Sequence, residues 1–201
     1  MNLKHRADEI LGIQKDAIQK LQTEDSWVKS IELIKSVAEN KGRIITTGMG
    51  KAGIIGKKMS ATLASIGIPS FYVHPAEALH GDLGRIAPND LVIVFSHSGS
   101  TTEVRNMITH LHGLNDSKNT IIIISGSVDP QIPYNHLVCY GDLEESSIVK
   151  KVPSTSTTIM LIIADVLAIT AAESLGFIDE WFKKRHPGGA IGESYENTEN
   201  H

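Results

Sequence analysis

LVIVFSHSGSTTE (residues 91–103) sets an apolar run of five residues against a loop of serine, glycine and threonine. The run is short and rich in β-branched residues, the pattern of a strand buried on both faces of a parallel sheet. Beyond Gly99 the period changes. Val104, Met107, Ile108 and Leu111 fall three and four apart, along one face of a helix. A strand, a small-hydroxyl loop and a helix start, in that order, make an anion site, because hydroxyls and free N–H groups converge and the helix dipole favours negative charge. A phosphate suits such a site, and Glu103 is close enough to work on whatever carries it. The same residues also read as an ordinary strand-to-helix loop in which Ser and Thr serve as caps.

The flanking sequence repeats the alternation. RIITT (43–47), SFYVH (70–74), TIIIIS (120–125) and HLVCY (136–140) are further candidate strands. Helical spacing covers 52–66, ending at Gly67, and 157–175, stopping at Gly176, with a shorter helix over 179–184. The first forty residues carry two apolar helical faces: Ile10, Ile13, Ala17, Ile18 and Leu21, then Trp27, Ile31, Ile34 and Ala38 after a cap at Ser26. Apolar strands separated by helices imply an α/β fold, a five-stranded parallel sheet covered on both faces. Ligands in such sheets bind at the carboxyl ends of strands, which puts the loops after residues 47, 74, 95 and 125 on one functional edge. One domain is expected over 1–192, with N-terminal helices over 1–40 and the sheet core over 43–192. The polar tail 193–201 is expected to be loose.

Bulk properties narrow the class. The chain has 201 residues, 41% hydrophobic and 21% charged, as in an ordinary globular domain. A net charge of −4 argues against a nucleic-acid footprint. A single cysteine, Cys139, forbids an internal disulfide and fits a reducing compartment. The N-terminus lacks the apolar centre of a signal peptide. The longest apolar stretch, 159–172, is interrupted by Asp165 and too short to span a bilayer, so it reads as a buried helix. A cytoplasmic protein without membrane contact is the expectation.

Four further motifs could carry chemistry. GMGKAG (48–53) matches a dinucleotide fingerprint, but the acidic residue expected at the end of the next strand is missing there, and Lys51 suits a small phosphorylated ligand better. His80, in His80-Gly81-Asp82, is a candidate acid or base on a polar stretch, or an incidental part of a turn. VPSTSTT (152–158) places five hydroxyl residues at a helix start, more than capping needs, and Glu144 and Glu145 just upstream either reach the same pocket or are solvated. In HPGGAIG (186–192), Pro187 and two glycines hold His186 at a helix end. No Cys or His cluster has structural-zinc spacing.

GMGKAG, FYVHPAEALHGDLG, SHSGSTTE, PSTSTT and HPGGAIG follow one another in a familiar order. Together they make the chain resemble the sugar isomerase (SIS) domain family, a flavodoxin-like or Rossmann-like three-layer α/β/α sandwich. Within it the chain is similar to the arabinose-5-phosphate isomerases, on HPAEALHGDLG and HPGGAIG above all. Two segments depart from that group: SIVKKVPST where LGLAPT is usual, and His97 where asparagine is frequent. Many members continue into a pair of CBS repeats. This sequence ends about ten residues after HPGGAIG and resembles the shorter members.

The resemblance implies interconversion of D-ribulose 5-phosphate and D-arabinose 5-phosphate through a cis-enediol, supplying Kdo for lipopolysaccharide or capsule, with no cofactor and no metal. It implies that Ser96, Ser98 and Thr101, with Ser154, Thr155 and Ser156, cradle the phosphate, around a loop built on Gly48 and Gly50. Lys51 meets sugar oxygens or phosphate. Glu103, His80 and His186 are the proton-transfer candidates, with Glu145 a weaker fourth. His186 is favoured for ring opening or C–H proton transfer, Glu103 for the other. It further implies a homotetramer in which His80 and His186 arrive from neighbouring chains. The rivals are a phosphosugar-binding regulator without turnover, an isomerase of another sugar phosphate, and a nicotinamide-dependent oxidoreductase. Regulators usually carry a helix-turn-helix segment, for which the N-terminal forty residues are too few and not basic enough.

Overall fold

The computed structural model describes residues 1–177 and 179–189. Two N-terminal helices, α1 (Leu3–Gln19) and α2 (Asp25–Glu39), precede a sheet of five parallel strands. These are β1 (Ile44–Gly48), β2 (Ser70–Tyr72), β3 (Leu91–Phe95), β4 (Thr120–Ser125) and β5 (His136–Cys139), in the order β2-β1-β3-β4-β5. The remaining helices are α3 (Gly50–Ser65), α4 (Pro75–Ala78), α5 (Thr102–Leu114), α6 (Thr155–Ser174) and α7 (Asp179–Arg185).

Side-chain alternation divides the core into two layers. Along β3, Leu91, Ile93 and Phe95 face a cluster holding Trp27 and Ile34 of α2, Met59 and Leu63 of α3, and Ile163 and Leu167 of α6. Val92 and Val94 face the other way, onto Val104, Met107, Ile108 and Leu111 of α5. Every residue of β1 and β3 is buried, which is why these strands are apolar or small throughout rather than alternating. At the amino edge, the Asp90 carboxylate accepts hydrogen bonds from the Arg43 backbone N–H at 3.1 Å, its Nη2 at 2.6 Å and the Ala87 N–H at 2.8 Å. The α6 helix is long and apolar enough to cross a membrane by length and composition alone, but it packs into this core through Ile159, Ile163, Leu167 and Ala171.

Several expected boundaries move. The strands predicted at 43–47, 70–74 and 136–140 shift or shorten by one or two residues. The cap at Ser26 is replaced by Glu24, and Ser26 lies inside α2. The helices start at Gly50 and Thr155 rather than at 52 and 157. The segment between β2 and β3, expected to be a polar stretch around His80, holds α4 and a short 3₁₀ turn over Asp82–Arg85. The tail 193–201 lies outside the described residues, as do Ala190, Ile191 and Gly192 of the last motif.

Chain direction matters most. From β1 the chain crosses α3 to β2 on one side, and from β3 it crosses α5 to β4 and β5 on the other. The topology therefore switches between β1 and β3, where Gly48 and Phe95 end in register. The carboxyl ends of two strands at a switch point leave an open crevice.

Candidate active site

A depression of about 250 Å³ occupies that crevice. Three helix starts line it: Met49, Lys51 and Ala52 from α3, the loop Ser96, His97, Ser98 and Thr101 leading into α5, and Ser156, Thr157 and Met160 from α6. The glycine loop is fixed from below. Tyr72 Oη donates to the Gly48 carbonyl at 2.5 Å. A Cβ on Gly53 would run into that same carbonyl and into Tyr72 Oη, so the close approach of α3 to β1 requires glycine. Gly50, at φ +57°, turns the chain into α3 and leaves Lys51 exposed at the rim.

The serine loop is held from behind. The Gly99 carbonyl accepts from Gln131 N at 2.8 Å and Ile132 N at 3.0 Å. Gly99 has φ +64°, and a Cβ there would lie 2.6 Å from Pro130 Cβ. Ser96 Oγ and Thr101 Oγ1 pair at 3.2 Å, and Ser100 Oγ donates to Ser98 Oγ at 3.0 Å. Thr101 is the N-cap of α5, yet its side chain makes no capping bond. The starts of α3 and α5 thus lack side-chain caps and both face the depression with their positive ends. The hydroxyls of the loop are pocket lining rather than caps.

The start of α6 is different, because the chain caps it with its own carboxylate. Glu145 Oε2 accepts from Ser154 N at 2.7 Å, Ser154 Oγ at 2.9 Å and Ser156 N at 3.3 Å, with the residue 8% exposed. Burial works against the charge, but the Ser156 and Ser154 donors outweigh it and hold the carboxyl below its ordinary range. Ser154 Oγ also accepts from Ser146 N at 3.0 Å. Of the three α6 hydroxyls expected at a phosphate, Ser154 is spent in this network and Thr155 is fully buried, so neither lines the depression. Ser156 and Thr157 do line it, but Ser156 is buried with its Oγ enclosed, and Thr157 Oγ1 donates back to the Ser154 carbonyl at 2.8 Å.

Within one chain none of Glu103, His80 and His186 lines the depression. Glu103 is exposed on the first turn of α5. His80 is exposed in the turn after α4. His186 follows α7, its ring stacked on Phe182 at 3.9 Å and its Nδ1 2.8 Å from the Phe182 carbonyl. α7 packs at the opposite end of the sheet, where Arg185 and Trp181 lie against Gly67. α6 spans the distance between, roughly 30 Å for its length. No group of three His, Cys, Asp or Glu among the described residues could hold a metal ion.

Comparison with known proteins agrees with this geometry. The SIS domain profile matches residues 37–169. The Pseudomonas aeruginosa arabinose 5-phosphate isomerase KdsD is 40% identical over 196 residues, covering 94% of this chain and 57% of that protein. The chain spans a little over half the length of the curated relatives it matches. A Bacteroides fragilis structure assigned as a phosphosugar isomerase involved in capsule formation superposes with a TM-score of 0.90 at 34% identity, covering 94% of this chain and 99% of that one. An Escherichia coli CFT073 protein solved in complex with arabinose 5-phosphate gives a TM-score of 0.85 at 30% identity, covering 93% and 100%. The five-stranded parallel sheet, the switch-point depression and the profile match agree: this chain belongs to the SIS domain family.

Proposed function

We propose that the chain is an aldose–ketose isomerase that interconverts D-ribulose 5-phosphate and D-arabinose 5-phosphate through a cis-enediol. One observation carries the reading: the serine loop, through Ser96, Ser98 and Thr101, lines a depression at two helix starts with no side-chain cap, with Ser156 and Thr157 of α6 alongside. Such a site takes a phosphate. The relatives named as arabinose 5-phosphate isomerases supply the sugar. The phosphate makes no bonds in the reaction; its binding energy orients the sugar's C1 and C2 for proton transfer. Lys51, at the rim, meets the sugar oxygens or the phosphate. Glu103 and His186 share the C–H and O–H proton transfers, with His80 beside them. Glu145, placed among these candidates from sequence, acts instead as the fixed cap of α6.

Glu103, His80 and His186 need company from other chains, because one chain holds His186 at the far end of α6. A homotetramer with shared sites satisfies this. It would also cover exposed apolar residues such as Leu11, Ile18 and Val28 on α1 and α2. The enzyme works in the cytoplasm without a cofactor, its lone Cys139 left unpaired.

The test is incubation with D-ribulose 5-phosphate, reading products by NMR. Arabinose 5-phosphate should accumulate to equilibrium, and Glu103→Gln or His186→Ala should cut turnover by at least about a hundredfold with unfolding unchanged. Saturable binding without turnover would move the reading to a phosphosugar sensor.

A further inference from the structure

We propose that His97 is a phosphate-binding residue whose Nε2–H is aimed into the depression by a hydrogen bond from the Tyr140 hydroxyl to Nδ1. The inference deepens the phosphosugar reading above and rests on it. His97 sits between Ser96 and Ser98 and lines the same depression, but neither strand periodicity nor capping calls for an imidazole there.

His97 is an exposed residue, yet its ring is held by two neighbours. Its Nδ1 lies 2.9 Å from Tyr140 Oη, and the two rings run within 18° of parallel with centroids 5.9 Å apart. Behind it, a Cβ on Gly126 would fall 2.7 Å from Nδ1 and 2.8 Å from Cε1, so this orientation depends on glycine at 126. The His97 carbonyl is pinned as well, accepting from Gly126 N and Ser125 Oγ at 3.1 Å each. A freely solvated surface histidine has none of these restraints.

Two tautomers can join the rings. Either Tyr140 O–H donates to Nδ1, leaving Nε2–H outward, or Nδ1–H donates to Tyr140 Oη, leaving a bare lone pair at Nε2. Tyr140 decides between them. The phenol carries its proton at neutral pH in either arrangement, and giving that proton to Nδ1 leaves no part-buried donor without an acceptor. Among the described residues His97 Nδ1 is the acceptor that proton has. A lone pair at Nε2 would repel a phosphate oxygen, whereas Nε2–H donates to it. Tyr140 is therefore the positioning residue and His97 the group that touches the ligand.

The experiment follows His97 by imidazole ¹⁵N NMR on the full chain while inorganic phosphate is added, with Kd for phosphate and KM for D-arabinose 5-phosphate measured in parallel. The wild-type ring should show the Nε2–H tautomer and a saturable Nε2 shift. His97→Ala should weaken phosphate binding and raise KM by about ten- to a hundredfold, as expected for one hydrogen bond to a charged group, with kcat less affected. His97→Gln, whose amide nitrogen can replace Nε2, should recover most of that loss. Tyr140→Phe keeps the ring packing and should mix the tautomers while weakening phosphate binding by a smaller factor. An unchanged phosphate Kd in His97→Ala, or an unchanged tautomer in Tyr140→Phe, overturns the inference. Turnover of the pentose phosphate by His97→Ala at wild-type KM would sink it while leaving the isomerase reading standing. A saturable His97 response to phosphate in a protein that turns over no pentose phosphate would do the reverse.

Discussion

Replacing Glu145 separates a cap from a catalyst. Its carboxylate holds two backbone N–H groups and one hydroxyl at the start of α6, and it is buried. Glu145→Ala leaves the Ser154 and Ser156 N–H groups without their acceptor. Loss of a helix N-cap costs about 1 kcal/mol, and loss of a partly buried charge at a helix N-terminus up to about 2 kcal/mol more. The sum, about 2–3 kcal/mol, lowers the melting temperature by roughly 4–12 °C in a domain of this size. Glu145→Gln keeps an acceptor oxygen but no charge, and should lose about 1–2 kcal/mol. The pH dependence follows from the sign of the shift. The folded carboxyl titrates below the unfolded value of about 4.3, so its contribution is fully present above that value and is lost as pH falls toward the folded one. Urea unfolding at pH 7 and then at stepwise lower pH should show the wild type ahead of Glu145→Gln, with the margin shrinking in acid. A Glu145→Gln variant with wild-type stability and a hundredfold loss of turnover would falsify the cap assignment and return the residue to proton transfer.

Three other outcomes are expected. Gly53→Ala forces a methyl against the Gly48 carbonyl and Tyr72 Oη, so it should cost about 1–3 kcal/mol in urea unfolding and raise KM by displacing the loop that presents Lys51. Asp90→Ala leaves the Arg43 and Ala87 backbone N–H groups without their acceptor at the amino edge, while the part-exposed Arg43 guanidinium keeps the Arg85 carbonyl, and should lose about 2–3 kcal/mol by urea unfolding while the folded fraction keeps its kcat. If His186 and Glu103 of one site come from different chains, mixing Glu103→Gln with His186→Ala subunits should rebuild about a quarter of the sites, since random pairing places both intact residues together in one case of four. Mixed samples as inactive as either parent after subunit exchange would argue against sharing.

Most of the fold is legible because it rests on local pattern. β1, β3 and β4 are apolar or small throughout because both faces are covered, and α5 declares itself by Val104, Met107, Ile108 and Leu111. What escapes the sequence is set by groups far along the chain. The start of α6 lies two residues before its periodicity because Glu145 caps it from nine residues upstream of Ser154, and no local residue announces that. α4 is too short for a helical period to register, although Pro75 at its first turn is a start signal.

The site divides along the same line. The serine loop and Lys51 are readable because a strand, a loop and a helix in sequence fix their own relative positions. VPSTSTT is misleading as a unit, because most of its hydroxyls are spent within the chain: Ser154 Oγ on Glu145, Thr157 Oγ1 on the Ser154 carbonyl, with Thr155 and Ser156 buried. His97 is hidden for another reason: its orientation depends on Tyr140 and Gly126, residues that look like an aromatic strand end and an ordinary turn. Motif order says nothing about distance either, since His186 follows PSTSTT in sequence yet sits a full α6 length from the depression. One chain thus contains the phosphate half of the proposed site and presents His186 elsewhere. On the isomerase reading, ligand binding and turnover have different requirements. The binding half needs only a folded SIS domain, whereas proton transfer through His186 also needs the neighbour that delivers it.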